Sequence, residues 1–390
     1  MINIIDKSKC CGCTACVQCC PKQCIVLKED NEGFLYPEVN IEQCINCNLC
    51  TKVCPVIYPF KEKYPQKTYA CINPNNEIRI NSSSGGIFSL IAEKVIQNNG
   101  IVFGAIFDSQ WQVIHSYTKD INSLYKFQGS KYVQSFIGDS YQKIKLLLEN
   151  NTIVLFVGTP CQVSGLLHYL RKDYHNLITV DFSCHGVASP KVWSLYLNEL
   201  CSKHCIEIHN IKHINFRDKQ YSWTKFCFSI KYFNSKNNLI ETFLEIHNNN
   251  IFMKGFLSNL YLRPSCYKCP TKNGRSQSDI TIADYWGIQN IFPEMNDEKG
   301  VSLVLINTEK GKSFFPITQT IFRESNYENA RQYNEGLKGC AITPENRESF
   351  FAKIDNSKSI ISLVQKLYKP NIKKRIQRRI KKFINKLTSI

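Results

Sequence analysis

The chain contains no apolar run long enough to cross a bilayer; the longest, such as Ile153–Val157, are only of strand length. Met1–Lys9 also lacks an apolar secretory core: it includes Asp6 and runs directly into a cysteine-rich loop. A cytoplasmic protein is the expectation. Acid is missing from one region altogether. Residues 366–390 carry ten Lys or Arg and no Asp or Glu, whereas the first sixty residues are close to neutral. The net charge of +17 is therefore largely a property of the tail rather than of a broad basic face, and no nucleic-acid partner is expected. The histidines stand at no metal-ligand spacing. What the chain has in excess is cysteine, twenty in 390 residues. Without secretion these read as thiols in a reducing compartment rather than as disulfides.

Eight of the twenty form a pattern. Cys10, Cys13, Cys16 and Cys20 precede Pro21, and Cys44, Cys47, Cys50 and Cys54 precede Pro55. Each run spells C-x2-C-x2-C-x3-C-P, the thiolate spacing of a [4Fe–4S] ferredoxin. Three thiolates from one tight loop hold three corners of a cubane, and the fourth comes from the other repeat. The expected ligand sets are Cys10, Cys13, Cys16 and Cys54 for one cluster, and Cys44, Cys47, Cys50 and Cys20 for the other. Zinc also uses C-x2-C pairs, but it explains neither the third cysteine nor the proline.

The rest of the chain divides by texture. Residues 24–28 and 34–39 read as a short hairpin between the repeats, so 1–62 form a ferredoxin domain. Prolines at 55, 59 and 65 mark a linker. A helix over 87–98 and strands over 101–107 and 113–117 follow, then a helix over 141–148. A strand over 152–157 enters Gly158-Thr159-Pro160-Cys161 before a helix over 163–170, and a strand over 177–182 enters Cys184-His185-Gly186 before a helix over 190–201. Strand–loop–helix units of this kind imply parallel strands with functional loops at their carboxyl ends. Meander strands are expected over 211–217, 225–233 and 239–246, a helix over 252–260, and strands over 279–284 and 301–306. The last sixty or so residues are polar, then basic.

Cys161, Cys184, Cys266 and Cys269 are expected in loops, where a scaffold presents reactive groups. Four thiolates suffice for a third cubane, but only Cys266 and Cys269 form a recognisable pair, so a zinc site or buried apolar packing fits the same four. His185 is a candidate donor to cofactor or substrate, or a structural donor. Cys11, Cys19 and Cys24 fall outside the repeat spacing and read as buried fillers.

Several motifs occur in order: Ser82-Ser83-Ser84-Gly85-Gly86 opening a helix, Gly129-Ser130-Lys131-Tyr132-Val133-Gln134-Ser135, Gly158-Thr159-Pro160-Cys161-Gln162, Cys184-His185-Gly186, Cys266-Tyr267-Lys268-Cys269-Pro270, and Ser278 through Asp284. As an ordered set over roughly residues 1–320 they resemble the family of coenzyme F420 hydrogenase/dehydrogenase beta subunits, fused to an N-terminal two-cluster ferredoxin. The resemblance implies an FAD-binding domain with its own [4Fe–4S] cluster, held by Cys161, Cys184, Cys266 and Cys269. It places Ser83, Ser84, Gly85, Gly86, Gly129, Ser130, Lys131, Tyr132 and Gln134 near the flavin. Glycines let amides approach a phosphate, and a helix N-terminus favours negative charge. Lys131 and His185 are the candidate catalytic residues, Lys131 pairing with a pyrophosphate or the reduced flavin. Phe216-Arg217-Asp218-Lys219 and the basic tail resemble a bacterial branch encoded among genes for surface polysaccharide assembly.

The expected fold is α+β: the ferredoxin domain, a mixed α/β flavin-binding domain split into 68–150 and 151–320, and an extension over 321–390. In the extension, Ile372, Ile376, Ile380, Phe383 and Leu387 share one face of a basic amphipathic helix over 370–388, the pattern of a contact with anionic lipid. The expected function is an oxidoreductase relaying electrons from a ferredoxin-type donor through the clusters to FAD and on to a two-electron substrate. The alternative is an electron-transfer subunit with no substrate site of its own.

Overall fold

The computed structural model describes residues 1–368; the basic helix expected over 370–388 lies outside them. The N-terminal segment is small. β1 (Ile25–Glu29) and β2 (Leu35–Val39) pair antiparallel, with one cysteine repeat on either side of the hairpin. Asp30 closes the turn by accepting from the amides of Glu32 and Phe34 at 3.1 and 3.0 Å.

The remaining strands are β3 (Lys67–Ile72), β4 (Ile101–Phe107), β5 (Val113–Thr118), β6 (Val154–Val157), β7 (Leu177–Phe182), β8 (Ile211–Asp218), β9 (Cys227–Asn234), β10 (Leu239–Ile246), β11 (Ile280–Asp284), β12 (Ser302–Ile306) and β13 (Ile321–Ser325). Eight of them build one mixed sheet in the order β13-β3-β12-β11-β7-β6-β4-β5. The centre, β4, β6, β7 and β11, is parallel, and the flanking pairs are antiparallel. The sheet thus takes strands from both sides of residue 150 and one from the C-terminal extension. β8, β9 and β10 form the expected meander as a separate three-stranded sheet.

The parallel strands are buried on both faces and read as continuous apolar runs. Val154, Leu155 and Phe156 are all fully buried. The helix Ile87–Gln97 covers one face with Ile87, Leu90, Ile91 and Val95 at helical spacing. The helices Ser140–Glu149 and Pro160–Leu170 cover the other through Tyr141, Ile144, Val163 and Leu166. A second core packs Trp193 and Tyr196 of the helix Pro190–Lys203 against Phe216, Phe228 and Phe252. Each such ring contributes about 1.5–3 kcal/mol by leaving water.

The C-terminal extension is more than a polar tail. β13 joins the sheet, and Phe350, Leu363 and Val364 of two further helices enter the second core. The helix after β6 also differs from expectation. It starts at Pro160, so Cys161 stands on its first turn rather than in a loop. Thr159 and Gln162 form a reciprocal capping box there, with Pro160 at the first helical position.

The ferredoxin segment is fastened to the large domain by its first repeat. Gln18 accepts from the amides of Tyr141 and Gln142 at 3.0 and 3.3 Å, satisfying orphan donors at the start of that helix. Cys11 and Cys13 are buried in the same core as Tyr141 and Leu166. Arg347 grips the carboxylate of Glu32 in the hairpin turn.

Candidate functional site

The N-terminal cysteines lie close to one another. Cys20, Cys44, Cys47 and Cys50 line one concavity together with Cys24, which lies 3.5 Å from Cys20 sulfur to sulfur. Cys47 is exposed there. Cys10, Cys13, Cys16 and Cys54 also lie near one another: burial, then the neighbouring Cys10 and Cys54, push the Cys16 thiol well above its ordinary pKa, with Cys19 and Cys50 adding to the rise. Burial likewise raises Cys54, with Cys10 and Cys50 adding to the rise. A hydrogen bond with Cys11 pulls Cys13 down, but burial and then Cys16 raise it overall. Packed thiols of this kind resist ionisation without a cation to share, which is what an iron cluster supplies.

The later four cysteines also converge. Burial raises Cys184 to about 12 against the favourable charge of Lys272, and Cys161 and Cys269 add to the rise. Burial and then Cys184 raise Cys266, with Cys161 and Cys269 contributing further. Between this group and the first repeat sits Cys11, whose thiol is within hydrogen-bonding reach of both Cys13 and Cys161. Among the described residues no three His, Cys, Asp or Glu side chains converge closely enough for a single metal ion; a cubane, with four irons to ligate, needs a wider ring.

Beside Cys184 a cavity of about 570 Å³ opens, within the usual range for cofactor sites. It lies at the carboxyl ends of the parallel strands, where β4 contributes Ala105, β6 Val157, β7 Phe182 and β11 Asp284. Ser83, Ser84, Gly86, Gly129, Ser130, Lys131, Tyr132 and His185 all line it. Two expected contacts do not. Gly85 lies behind the loop, its amide donating to Ser302 Oγ at 2.9 Å. A Cβ at that position would meet the Cys71 carbonyl at 2.5 Å, so close packing accounts for the glycine. Gln134 turns to the ferredoxin segment, donating to the Cys11 carbonyl at 3.4 Å and accepting from Arg263 at 2.9 Å.

The two loops that carry the motifs are joined directly. Ser83 Oγ accepts from the Ser130 amide at 2.7 Å and meets Ser130 Oγ at 2.8 Å. Lys219 braces the serine loop from behind, its Nζ donating to the carbonyls of Ser84 at 2.5 Å and Arg79 at 2.8 Å. Lys131 Nζ donates to the Gln128 carbonyl at 3.0 Å. The walls desolvate it, and its pKa falls to about 7. Burial also lowers the pKa of His185, whose ring centroid lies 5.0 Å from that of Phe256. On the cavity lining, His115 Nδ1 accepts from Ser135 Oγ and Nε2 donates to the Val157 carbonyl, at 2.9 and 3.2 Å; burial lowers its pKa to about 4.

The sequence reading missed Arg217 and Asp284 as site residues, though both stand in motifs it quoted. Arg217 is buried and reaches both Asp284 oxygens, Tyr132 Oη and the Ser83 carbonyl. Its charge also lies 4.2 Å from the Phe226 ring centroid. An arginine next to an aromatic strand residue, followed by an aspartate and a lysine, was the available signal.

Two segments of the chain match known families. Residues 9–57 match the model of a 4Fe-4S dicluster domain, and residues 152–327 match the model for the C terminus of the coenzyme F420 hydrogenase/dehydrogenase beta subunit. A coenzyme F420-dependent sulfite reductase of Methanocaldococcus jannaschii is 25% identical over 239 residues, covering 55% of this chain and 36% of that protein. The F subunit of the F(420)H(2) dehydrogenase of Methanosarcina mazei is 22% identical over 191 residues, covering 46% of this chain and 53% of that one. A chain in the F420-reducing [NiFe] hydrogenase complex from Methanosarcina barkeri aligns with TM-score 0.45 and 15% identity, covering 77% of this chain and 96% of that chain. The chain thus spans about a third to a half of these two curated relatives. Among the described residues no helix is long and apolar enough to cross a membrane. The polypeptide joins a 4Fe-4S dicluster domain to a segment matching the C-terminal part of the coenzyme F420 hydrogenase/dehydrogenase beta subunit.

Proposed function

We propose that the chain is an iron–sulfur flavoprotein oxidoreductase. Cys10, Cys13, Cys16 and Cys54 would hold one [4Fe–4S] cluster, Cys20, Cys44, Cys47 and Cys50 a second, and Cys161, Cys184, Cys266 and Cys269 a third, with FAD in the cavity. One observation carries the reading: the three cysteine groups adjoin in sequence from exposed Cys47, through Cys11, to Cys184 on the cavity wall. The cavity fits an anionic, ring-bearing cofactor. Arg217 Nε is buried there without a partner, and Gly129 leaves its side open, since a Cβ at that position would meet only Asn215, at 3.9 Å. When bound, the clusters would supply one-electron carriers and the flavin a junction between single electrons and pairs.

The protein's own residues do the rest. Lys131, near neutral in pKa, holds or yields a proton at Nζ beside the loop amides. The Ser83–Ser130 contact fixes the distance between the two binding loops. His185 lines the cavity beside Cys184, its buried Nε2 without a partner among the described residues. The donor in this reading is a reduced ferredoxin, which would meet exposed Cys47. The substrate is a two-electron acceptor, placed in surface polysaccharide assembly by the motif resemblance, in the cytoplasm with the basic tail at the membrane face. Protein purified without oxygen should carry about twelve irons and one flavin, four irons per cubane. About eight irons and no flavin would reject the relay and leave the ferredoxin domain.

A second reading is an electron-transfer subunit whose substrate site lies on another chain. The relative from Methanosarcina mazei, itself named as a subunit, favours it. Reduction of a defined organic substrate by the isolated chain would exclude it.

A further inference from the structure

Arg263 is 1% exposed and lies at the seam between the ferredoxin segment and the large domain. Its Nε donates to the Cys10 carbonyl at 2.8 Å, Nη1 to Gln134 Oε1 at 2.9 Å and Nη2 to the Leu35 carbonyl at 2.9 Å. Nη2 also lies 3.5 Å from Cys10 Sγ. The rings of Tyr36 and Phe34 lie 4.3 and 5.3 Å from the guanidinium carbon. Other buried arginines in this chain face carboxylates: Arg79 faces Asp297, Arg217 faces Asp284 and Arg347 faces Glu32. Among the described residues Arg263 forms no such ion pair. The groups able to carry negative charge that act on it most are Cys10, Tyr36 and Cys11. Burying an unpaired guanidinium is costly, so a counter-charge is expected where the structure shows only thiols. A guanidinium stays charged throughout the accessible pH range.

We infer that Arg263 is a positioning residue that sets the reduction potential of the first-repeat cluster above that of the second. The inference rests on the ligand assignment proposed above. A thiolate-bound cubane is an anion and becomes more negative on reduction, so a fixed positive charge in a dry seam favours the reduced form. Among the described residues the second repeat has no buried arginine of this kind beside it. Lys22 lines its concavity but is exposed, and solvent screens its charge. Two repeats of identical spacing are thereby made unequal. One electron passing from a cluster held by Cys20, Cys44, Cys47 and Cys50 to one held by Cys10, Cys13, Cys16 and Cys54 would move downhill, toward Cys11 and the later cysteines, with no proton required. The bias applies to electrons supplied by any reduced low-potential one-electron carrier.

The test is a potentiometric titration of the anaerobic full-length protein, followed by electron paramagnetic resonance and paired with iron analysis. In Arg263→Gln, one of the two N-terminal signals should shift downward by at least a tenfold change in its oxidised-to-reduced ratio, about 59 mV for one electron. The other should stay in place, and Arg263→Lys should keep most of the wild-type value. Gln134→Glu puts a carboxylate against the guanidinium without truncating it, and should lower the same signal; it decides the matter if Arg263→Gln does not fold. Unchanged midpoints in iron-replete Arg263→Gln or Gln134→Glu overturn the inference while leaving the ligand assignment standing. Wild-type protein without two N-terminal cluster signals overturns the assignment itself, and this inference with it.

Discussion

Arg217 and Asp284, 67 residues apart, form a two-pronged ion pair on the cavity wall, with nitrogen–oxygen distances of 2.9 and 3.1 Å. Trp223 Nε1 donates to the same carboxylate at 2.8 Å, so both oxygens are held. The pair anchors the meander sheet to the end of β11 and presents Arg217 to the cavity. Asp284→Ala strands a buried guanidinium and should cost about 3–5 kcal/mol in urea unfolding. Asp284→Asn, which keeps an acceptor, should cost less. If the cavity holds the proposed flavin, its content should fall in both, because Tyr132 and the Ser83 carbonyl depend on the same arginine. Wild-type stability in Asp284→Ala would refute the anchoring role.

Gly165 marks the place where the large domain meets the first cluster loop. A Cβ there would stand 2.7 Å from Cys13 Cβ and 3.0 Å from Tyr141 Oη. Gly165→Leu should therefore overpack the seam by about 1–3 kcal/mol. It should also displace the Cys13 loop and, on the proposed ligand assignment, remove about four irons. Iron analysis reads this directly, and full iron content in a folded variant would count against the seam described here.

The lowered pKa of Lys131, about 7, predicts a pH signature. An unfolded lysine keeps its proton to about pH 10.4. Between those values the unfolded chain binds more protons, so this group makes stability rise with pH. Below about pH 7 both states are protonated, and the folded state bears the full cost of a buried charge. Lys219, also lowered to about 7 by burial, adds a ramp of the same sign. Raised thiol pKa values act oppositely in iron-free protein, so the comparison is wild type against Lys131→Met in iron-loaded protein. The variant should show a flatter rise in denaturant midpoint from about pH 7 to about pH 10, and parallel curves would rule the effect out.

The tail lends itself to a separate check. Deleting residues 370–390 removes eight of the ten basic residues counted from 366 onward, leaving Lys366 and Lys369. Binding to vesicles containing anionic lipid should then disappear, and in the intact chain it should weaken as salt rises. Retained binding by the shortened chain would locate the contact elsewhere.

Local pattern made much of this molecule legible. The cysteine spacing and the apolar runs of β6 and β7 are properties of short segments, and the strands were predicted to within a few residues. What failed was information held across distance. Nothing near Gln134 signals that it faces Arg263, 129 residues on, rather than a cofactor. Strand order was equally hidden, because β3 finds both its partners more than 200 residues later. Two misses were avoidable. Thr159, Pro160 and Gln162 spell a helix start that puts Cys161 on the first turn. Ile360, Leu363, Val364 and Leu367 keep helical spacing within a stretch whose basic composition drew attention instead.

The position of β3 bears on how the protein is made. The strand directly follows the ferredoxin segment, yet among the described residues its ladder partners are Ser302–Ile306 and Ile321–Ser325. During synthesis it must wait, with both edges bare, for about 230 further residues to leave the ribosome. Arg263, which seats the first cysteine loop, arrives late as well. The metal-binding loops are thus born first and docked last, an interval in which iron can reach sulfurs that the finished molecule encloses.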